Sequence, residues 1–135
     1  MGDYRATVRM AMDADADADG ALVVEHHLTP RASIGVEQWS GGHLLHLAVA
    51  GCLFNDILRE APNRGIVVDH LEVTADGGFD GAGSTGIRYE IEIRTSADRA
   101  EVERLVADME TNAAIPKALR AGTEVDRVQV RIGPG

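Results

Sequence analysis

Several groups of residues in this chain have types and spacings that could do chemistry. Cys52 is the single cysteine. A lone thiol can attack an electrophile as a thiolate, or it can fill a core, since free cysteine is among the most buried residue types. His43 and His46 stand three apart, and Glu25-His26-His27 adds further donors, the raw material of a zinc site. Asp15-x-Asp17-x-Asp19-Gly20 matches the opening of a calcium loop, and Gly81-x-Gly83-x-x-Gly86 has the spacing of a dinucleotide-binding turn.

The elements that would carry these groups decide most of the cases. The calcium loop needs a bidentate acid at its twelfth position and a helix on each side. His26 falls there and both flanks read as strands, so a solvated turn is expected. The glycine run leads into a strand and not a helix, which makes it a hairpin loop. At about 100° per residue, His46 lies about 240° around its helix from Cys52 and His43 about 180°. Neither shares a face with the thiol and no third ligand is identified, so they read as surface or interface histidines and no metal or cofactor is expected. No GxSxG, HExxH, CxxC or Walker pattern occurs, which leaves a serine triad or a P-loop unsupported.

The chain has 135 residues, enough for one domain, 1–135, around a single core. Hydrophobic residues make up 44% and charged residues 26%, a globular balance. Thirteen Lys plus Arg against 22 Asp plus Glu give a net charge of −9, a field that repels nucleic acid and anionic membrane. No apolar run approaches the ~18 residues of a membrane span, and the N-terminus has no signal segment. With one cysteine, these features lead to the expectation of an intracellular, cytoplasmic protein.

Period-two alternation predicts a strand over Tyr4–Met12, with Val8, Met10 and Met12 on one face, and a second over Leu22–Leu28, joined by the acidic loop Asp13–Gly20. Thr29, Pro30, Arg31, Ala32 and Ser33 break the pattern. From His43 a helix follows that is apolar nearly all round, with Ser40 as N-cap and Pro62 as its stop. Strands are predicted over Ile66–Ala75 and Gly86–Thr95. A helix opened by a Thr95/Asp98 capping box comes next, ended or kinked at Pro116. A last strand, Glu124–Ile132, would set Val128, Val130 and Ile132 on one face. The order ββ-α-ββ-α-β is an α+β pattern.

The run His43-Leu44-Leu45-His46-Leu47-Ala48-Val49-Ala50-Gly51-Cys52-Leu53-Phe54 resembles the central helix of the OsmC/Ohr family of thiol-dependent peroxidases, which carries the peroxide-reacting cysteine. Gly65 to Val73 resembles the family's next strand, and the later elements follow in the same order. The resemblance implies an OsmC-like fold, an intertwined homodimer with antiparallel sheets flanking two main helices, and Cys52 as nucleophile. A helix enclosed by its own sheet and by a second subunit would have no wet face, which fits the apolar character around Cys52.

Departures from the family pattern bear on activity. Gly42 stands where a glutamate ten residues before the cysteine normally orients an arginine. Aligning Asn112–Leu119 puts Ala113 in the place of the second, resolving cysteine. The activating arginine of the OsmC branch corresponds to Arg31, with Arg9 or Arg5 as alternatives. An ordinary thiol has a pKa near ~8.5 and apolar surroundings favour its neutral form, so a nearby guanidinium is required.

Two functions follow. One is reduction of hydrophobic hydroperoxides through Cys52 and Arg31, with an external thiol as reductant. The alternative is a homodimer that has lost this activity and binds a small apolar ligand.

Overall fold

The computed structural model describes residues 3–11 and 21–135. Met12 and the Asp15–Gly20 run lie outside them. The elements are β1 (Ala6–Met10), β2 (Ala21–Glu25), β3 (Arg31–Val36), α1 (Gly41–Glu60), β4 (His70–Asp80), β5 (Gly83–Arg94), α2 (Arg99–Asn112), α3 (Ala114–Leu119) and β6 (Val125–Gly133), with a 3-10 turn at Ala61–Arg64 after α1. The six strands form one sheet in the order β2-β3-β1-β4-β5-β6. All neighbouring pairs are antiparallel except β5 with β6, which is parallel and so departs from the expected antiparallel arrangement. The α+β class is as the sequence predicts.

One face of this sheet is apolar and carries α1, which lies across β1 and β4. Val8, Leu71, Val73, Ala75, Ile87, Ile91 and Ile93 meet Val49, Leu53, Phe54 and Ile57 of α1 in the core. Val102, Leu105 and Val106 of α2, all fully buried, complete it. Each such side chain contributes on the order of 1.5–3 kcal/mol by leaving water. The opposite, outer face is charged. Strand alternation sends Arg5, Thr7 and Arg9 there with His70, Glu72 and Thr74.

Ser40 caps α1 as predicted. Its Oγ accepts from His43 N at 3.2 Å, satisfying one of the open amides of the first turn, and its carbonyl takes the first intrahelical bond, from Leu44 N at 2.9 Å. The helical stretch Gly41–Arg64 is long and apolar enough, by length and composition alone, to cross a membrane, contrary to the expectation that no run approaches a span. Here one side of it is core, packed on the sheet.

The structure adds a strand and moves several boundaries. β3 begins within the residues read as a break, and it lies between β2 and β1. Ala, Ser and Gly have little strand preference of their own, and pairing on both sides holds them extended. Gly77 and Gly78 stay within β4, and the hairpin turn comes later, at Gly81-Ala82. Thr95 does not cap α2. Its hydroxyl donates to Val67 O at 2.6 Å and accepts from Ala97 N at 3.1 Å, and Asp98 is the N-cap without a side-chain bond. Pro116 sits in the first turn of α3, where its missing N–H costs nothing. In β6 a bulge falls between the pairs Tyr89–Arg127 and Glu90–Gln129. Val128 is therefore thrown to the outer face, 57% exposed, and does not share a face with Val130 and Ile132.

Candidate functional site

Cys52 sits in the fourth turn of α1 and is half-buried. The helix buries His43, His46, Val49, Ala50, Leu53, Phe54, Ile57 and Leu58 against the sheet and neighbouring elements. Leu44, Leu47, Ala48, Gly51, Cys52 and Asn55 recur at spacings of three and four on the other side. Leu44 is 41% exposed. This stripe is apolar apart from Asn55, yet the chain's own elements leave it partly open, and the sulfur lies along it.

Arg31 opens β3 at an exposed position, opposite Glu25 on β2, and its carbonyl accepts from Ala11 N at 3.0 Å. The pairing of β3 with β1 puts Ala32, Ile34 and Val36 on the helix side, so Arg31 takes a register position on the outer side. Arg9 and Arg5 are also outward. Arg9 Nη1 lies 3.9 Å from Glu72 Oε1, and Arg5 lines a shallow pocket of about 260 Å³ with Thr74, Asp76 and Arg88. Within one chain, strand register therefore places all three candidate arginines on the sheet face turned away from α1.

The positions that differ from the family pattern have clear surroundings. At Gly42 a Cβ would run into the ring of Tyr4, with Cε1 only 2.6 Å away. Tyr4 fills the volume that a side chain at position 42 would need. Ala113 is fully buried at the break between α2 and α3.

His43 and His46 are not surface residues: they are 5% and 0% exposed. Tyr4 packs edge-on against His43, with ring centroids 5.1 Å apart, and parallel to His46 at 6.1 Å. Phe79 stands edge-on to both Tyr4 and His46. His46 Nδ1 donates to Gly42 O at 2.6 Å, which fixes the tautomer and leaves Nε2 with a bare lone pair while the ring is neutral. His43 Nδ1 shares a 2.6 Å bond with Ser40 Oγ. Both Nε2 atoms are buried without a hydrogen-bond partner among the described residues. Tyr4 and Phe79 pack against the two rings, which serve as part of the core.

Elsewhere, His26 stacks on His27 and stands edge-on to Phe54 of α1 at 5.4 Å. Burial, and then the neighbouring His27, hold its pKa below the ordinary histidine value. Tyr89 Oη donates a 2.5 Å bond to Glu110 Oε2, and burial followed by that carboxylate pushes the phenol well above its usual range. On the outer face, burial and then the facing Glu92 raise the Glu72 carboxyl, against the pull of Arg9 and His70. Beyond the C-terminal end of α1, Met10, Leu28, Pro30, Leu58, Ile66 and Val68 are among the residues around an apolar cavity of about 490 Å³, which Cys52 does not line.

Comparison with known proteins places this arrangement. Among solved structures, the chain superposes on an OsmC-like protein from Mycoplasma pneumoniae with a TM-score of 0.64 and 13% identity, covering 90% of this chain and 99% of that one. An organic hydroperoxide resistance protein OsmC from Legionella pneumophila gives 0.54 at 18% identity, covering 82% and 79%. The organic hydroperoxide resistance protein OhrB of Bacillus subtilis gives 0.51 at 14%, covering 83% and 95%. At these identities the likeness is one of fold. No curated protein matches the chain in sequence. The family profile described as OsmC-like protein matches residues 35–127, a span that takes in α1, Cys52, β4, β5 and both later helices, and the chain belongs to that family.

Proposed function

We propose that this protein is a one-cysteine reductase of organic hydroperoxides, working in the cytoplasm as a homodimer with an external thiol as reductant. The observation that carries the reading is the place of Cys52: half-buried on the open side of α1, where a substrate can reach the sulfur, in a surround of leucine and alanine that suits an alkyl chain. Structural neighbours named for organic hydroperoxide resistance support the substrate class.

The Cys52 thiolate attacks the outer oxygen of ROOH. The S–O bond forms, the O–O bond breaks, and the departing alkoxide takes a proton to leave as ROH. Cys52 is then a sulfenic acid, oxidised by two electrons. With no second cysteine in the chain, an external thiol R′SH condenses with it, releasing water and leaving a mixed disulfide. A second R′SH attacks that disulfide, frees Cys52 and departs as R′SSR′. The cation favouring the thiolate is Arg31, which in this reading meets the sulfur in the assembled dimer, since its own register turns it away from α1. Gly42 leaves that guanidinium without the carboxylate that normally aims it, so turnover is expected to be slow for the family.

The purified protein should consume cumene hydroperoxide at the expense of dithiothreitol, with hydrogen peroxide a poorer substrate. Absence of protein-dependent consumption would end the peroxidase reading. A second copy laid on Leu44, Leu47 and Ala48 supplies the missing cover of α1. Ala48→Glu is therefore expected to halve the mass seen in sedimentation, and a wild-type monomer would refute the dimer.

The 490 Å³ apolar cavity favours one other reading, the binding of a small apolar molecule without chemistry, because its size is that of an ordinary ligand site. Inactivity toward hydroperoxides, together with a rise in Tm on adding medium-chain aliphatic alcohols or acids, would select it.

A further inference from the structure

The outer face of the sheet carries charged side chains in rows set by strand register. Strand register sets Arg9, Glu72, Glu92 and Arg131 side by side across β1, β4, β5 and β6. Glu72 and Glu92 stand directly opposite one another, an arrangement in which like charges repel. Arg9 Nη1 lies 3.9 Å from Glu72 Oε1. Arg131, beside Glu92 in register, sends its guanidinium instead to Glu90 at 3.7 Å. Among the described residues Glu92 makes no ion pair. His70 lies two residues before Glu72 and thus on the same face. One donor atom each from His70, Glu72 and Glu92 lie within 4.8 Å of one another, and all three residues are half-buried.

We propose that His70, Glu72 and Glu92 form a binding site for a divalent transition metal ion of the zinc type. Two carboxylates and a neutral imidazole match the charge of such an ion. The nitrogen donor disfavours Ca²⁺ and Mg²⁺, which take oxygen ligands. Zinc holds these donors at about 2.0–2.2 Å, so side-chain rotations of an ångström or so close the set, while the paired β4 and β5 backbones stay fixed. Three protein ligands leave a coordination position open toward solvent. Arg94, opposite His70, Arg9, beside Glu72, and Arg131, beside Glu92, are cations that face the site and must swing aside. The site is separate from Cys52, on the other side of the sheet from α1.

The test uses the full chain carrying Cys52→Ser, so that the thiol cannot compete, freed of metal with a chelator and titrated calorimetrically with Zn²⁺ near pH 7.5. One ion per chain is expected, with a ten- to hundredfold loss of affinity in His70→Ala and in Glu92→Gln. Ca²⁺ in tenfold excess should not displace the zinc. Ring-nitrogen NMR of the wild-type site should show the His70 resonance move on saturation while His26 and His27 stay in place. Unchanged zinc affinity in both folded variants, or a shift confined to His26 and His27, would overturn the assignment. Glu92→Gln is nearly isosteric and half-exposed, so it keeps the test available if His70→Ala perturbs the strand.

Discussion

Cys52→Ser is expected to bring hydroperoxide-dependent oxidation of dithiothreitol down to the rate without protein, a loss of roughly a thousandfold or more. A serine hydroxyl ionises too weakly to attack the O–O bond, and removal of a nucleophile leaves only binding. The single cysteine makes this variant unusually clean, because no other thiol in the chain can be oxidised in its place. The substitution changes one atom on a half-buried helix position, so Tm should move little, and an inactive but folded variant isolates the chemistry. A companion measurement follows the wild type exposed to excess hydroperoxide without reductant. Lacking a partner cysteine, its sulfenic acid should advance to sulfinic and sulfonic acids, seen as successive oxygen additions at Cys52 by mass spectrometry. Turnover by the serine variant equal to wild type would remove Cys52 from the reaction.

The helix that carries this thiol was legible because its signal is local. A helical segment with apolar residues nearly all round its first turns begins after a serine and ends before a proline, and the serine does cap it. What surrounds the thiol was not legible, since it depends on which strands pair and in what register. Arg31 fits the family's distance along the chain with one residue inserted, but distance in sequence does not say which side of a sheet a residue takes. Pairing of β3 with β1 decides that, and β3 itself was hidden by the small residues Ala32, Ser33 and Gly35, whose extended form comes from neighbours on both sides. The same limit hid His70, Glu72 and Glu92, which are brought together only by the register of β4 with β5.

The two histidines of α1 show a related failure. Helical periodicity placed them away from the thiol, but their burial required knowing that the sheet and Tyr4 cover that side. A signal was available in the glycines. Gly42 inside a helix and Gly77 inside a strand both occupy positions where another residue would ordinarily be preferred, and a glycine at such a place points to close approach. Tyr4 approaches the first and His46 the second.

That approach makes Gly77→Ala the substitution with the largest expected cost in stability. A Cβ at this position would lie 2.5 Å from Gly86 O and would overlap His46 Nε2. Neither neighbour can give way easily. The imidazole is fully buried, tied through Nδ1 to Gly42 O and flanked by the Tyr4 and Phe79 rings. Gly86 is a backbone group at φ +111, next to Ile87, which pairs with Gly77 across the β4–β5 ladder. Overpacking of this kind costs about 1–3 kcal/mol, and obstruction by a main-chain carbonyl puts the expectation near ~3 kcal/mol. For a chain of this length that is a fall of about 10 °C in Tm. Gly78→Ala is the matched control: its nearest obstacle is the Thr85 hydroxyl at 3.3 Å, and its effect should stay within about 1 kcal/mol. Adding His46→Ala to Gly77→Ala separates the two obstacles. Because Gly86 O remains, the second substitution should not restore the lost stability and should add the cost of a cavity. A Gly77→Ala protein that melts with the wild type would show that β4 and β5 can part at this point, and the tight seating of His46 against Gly77 would have to be abandoned.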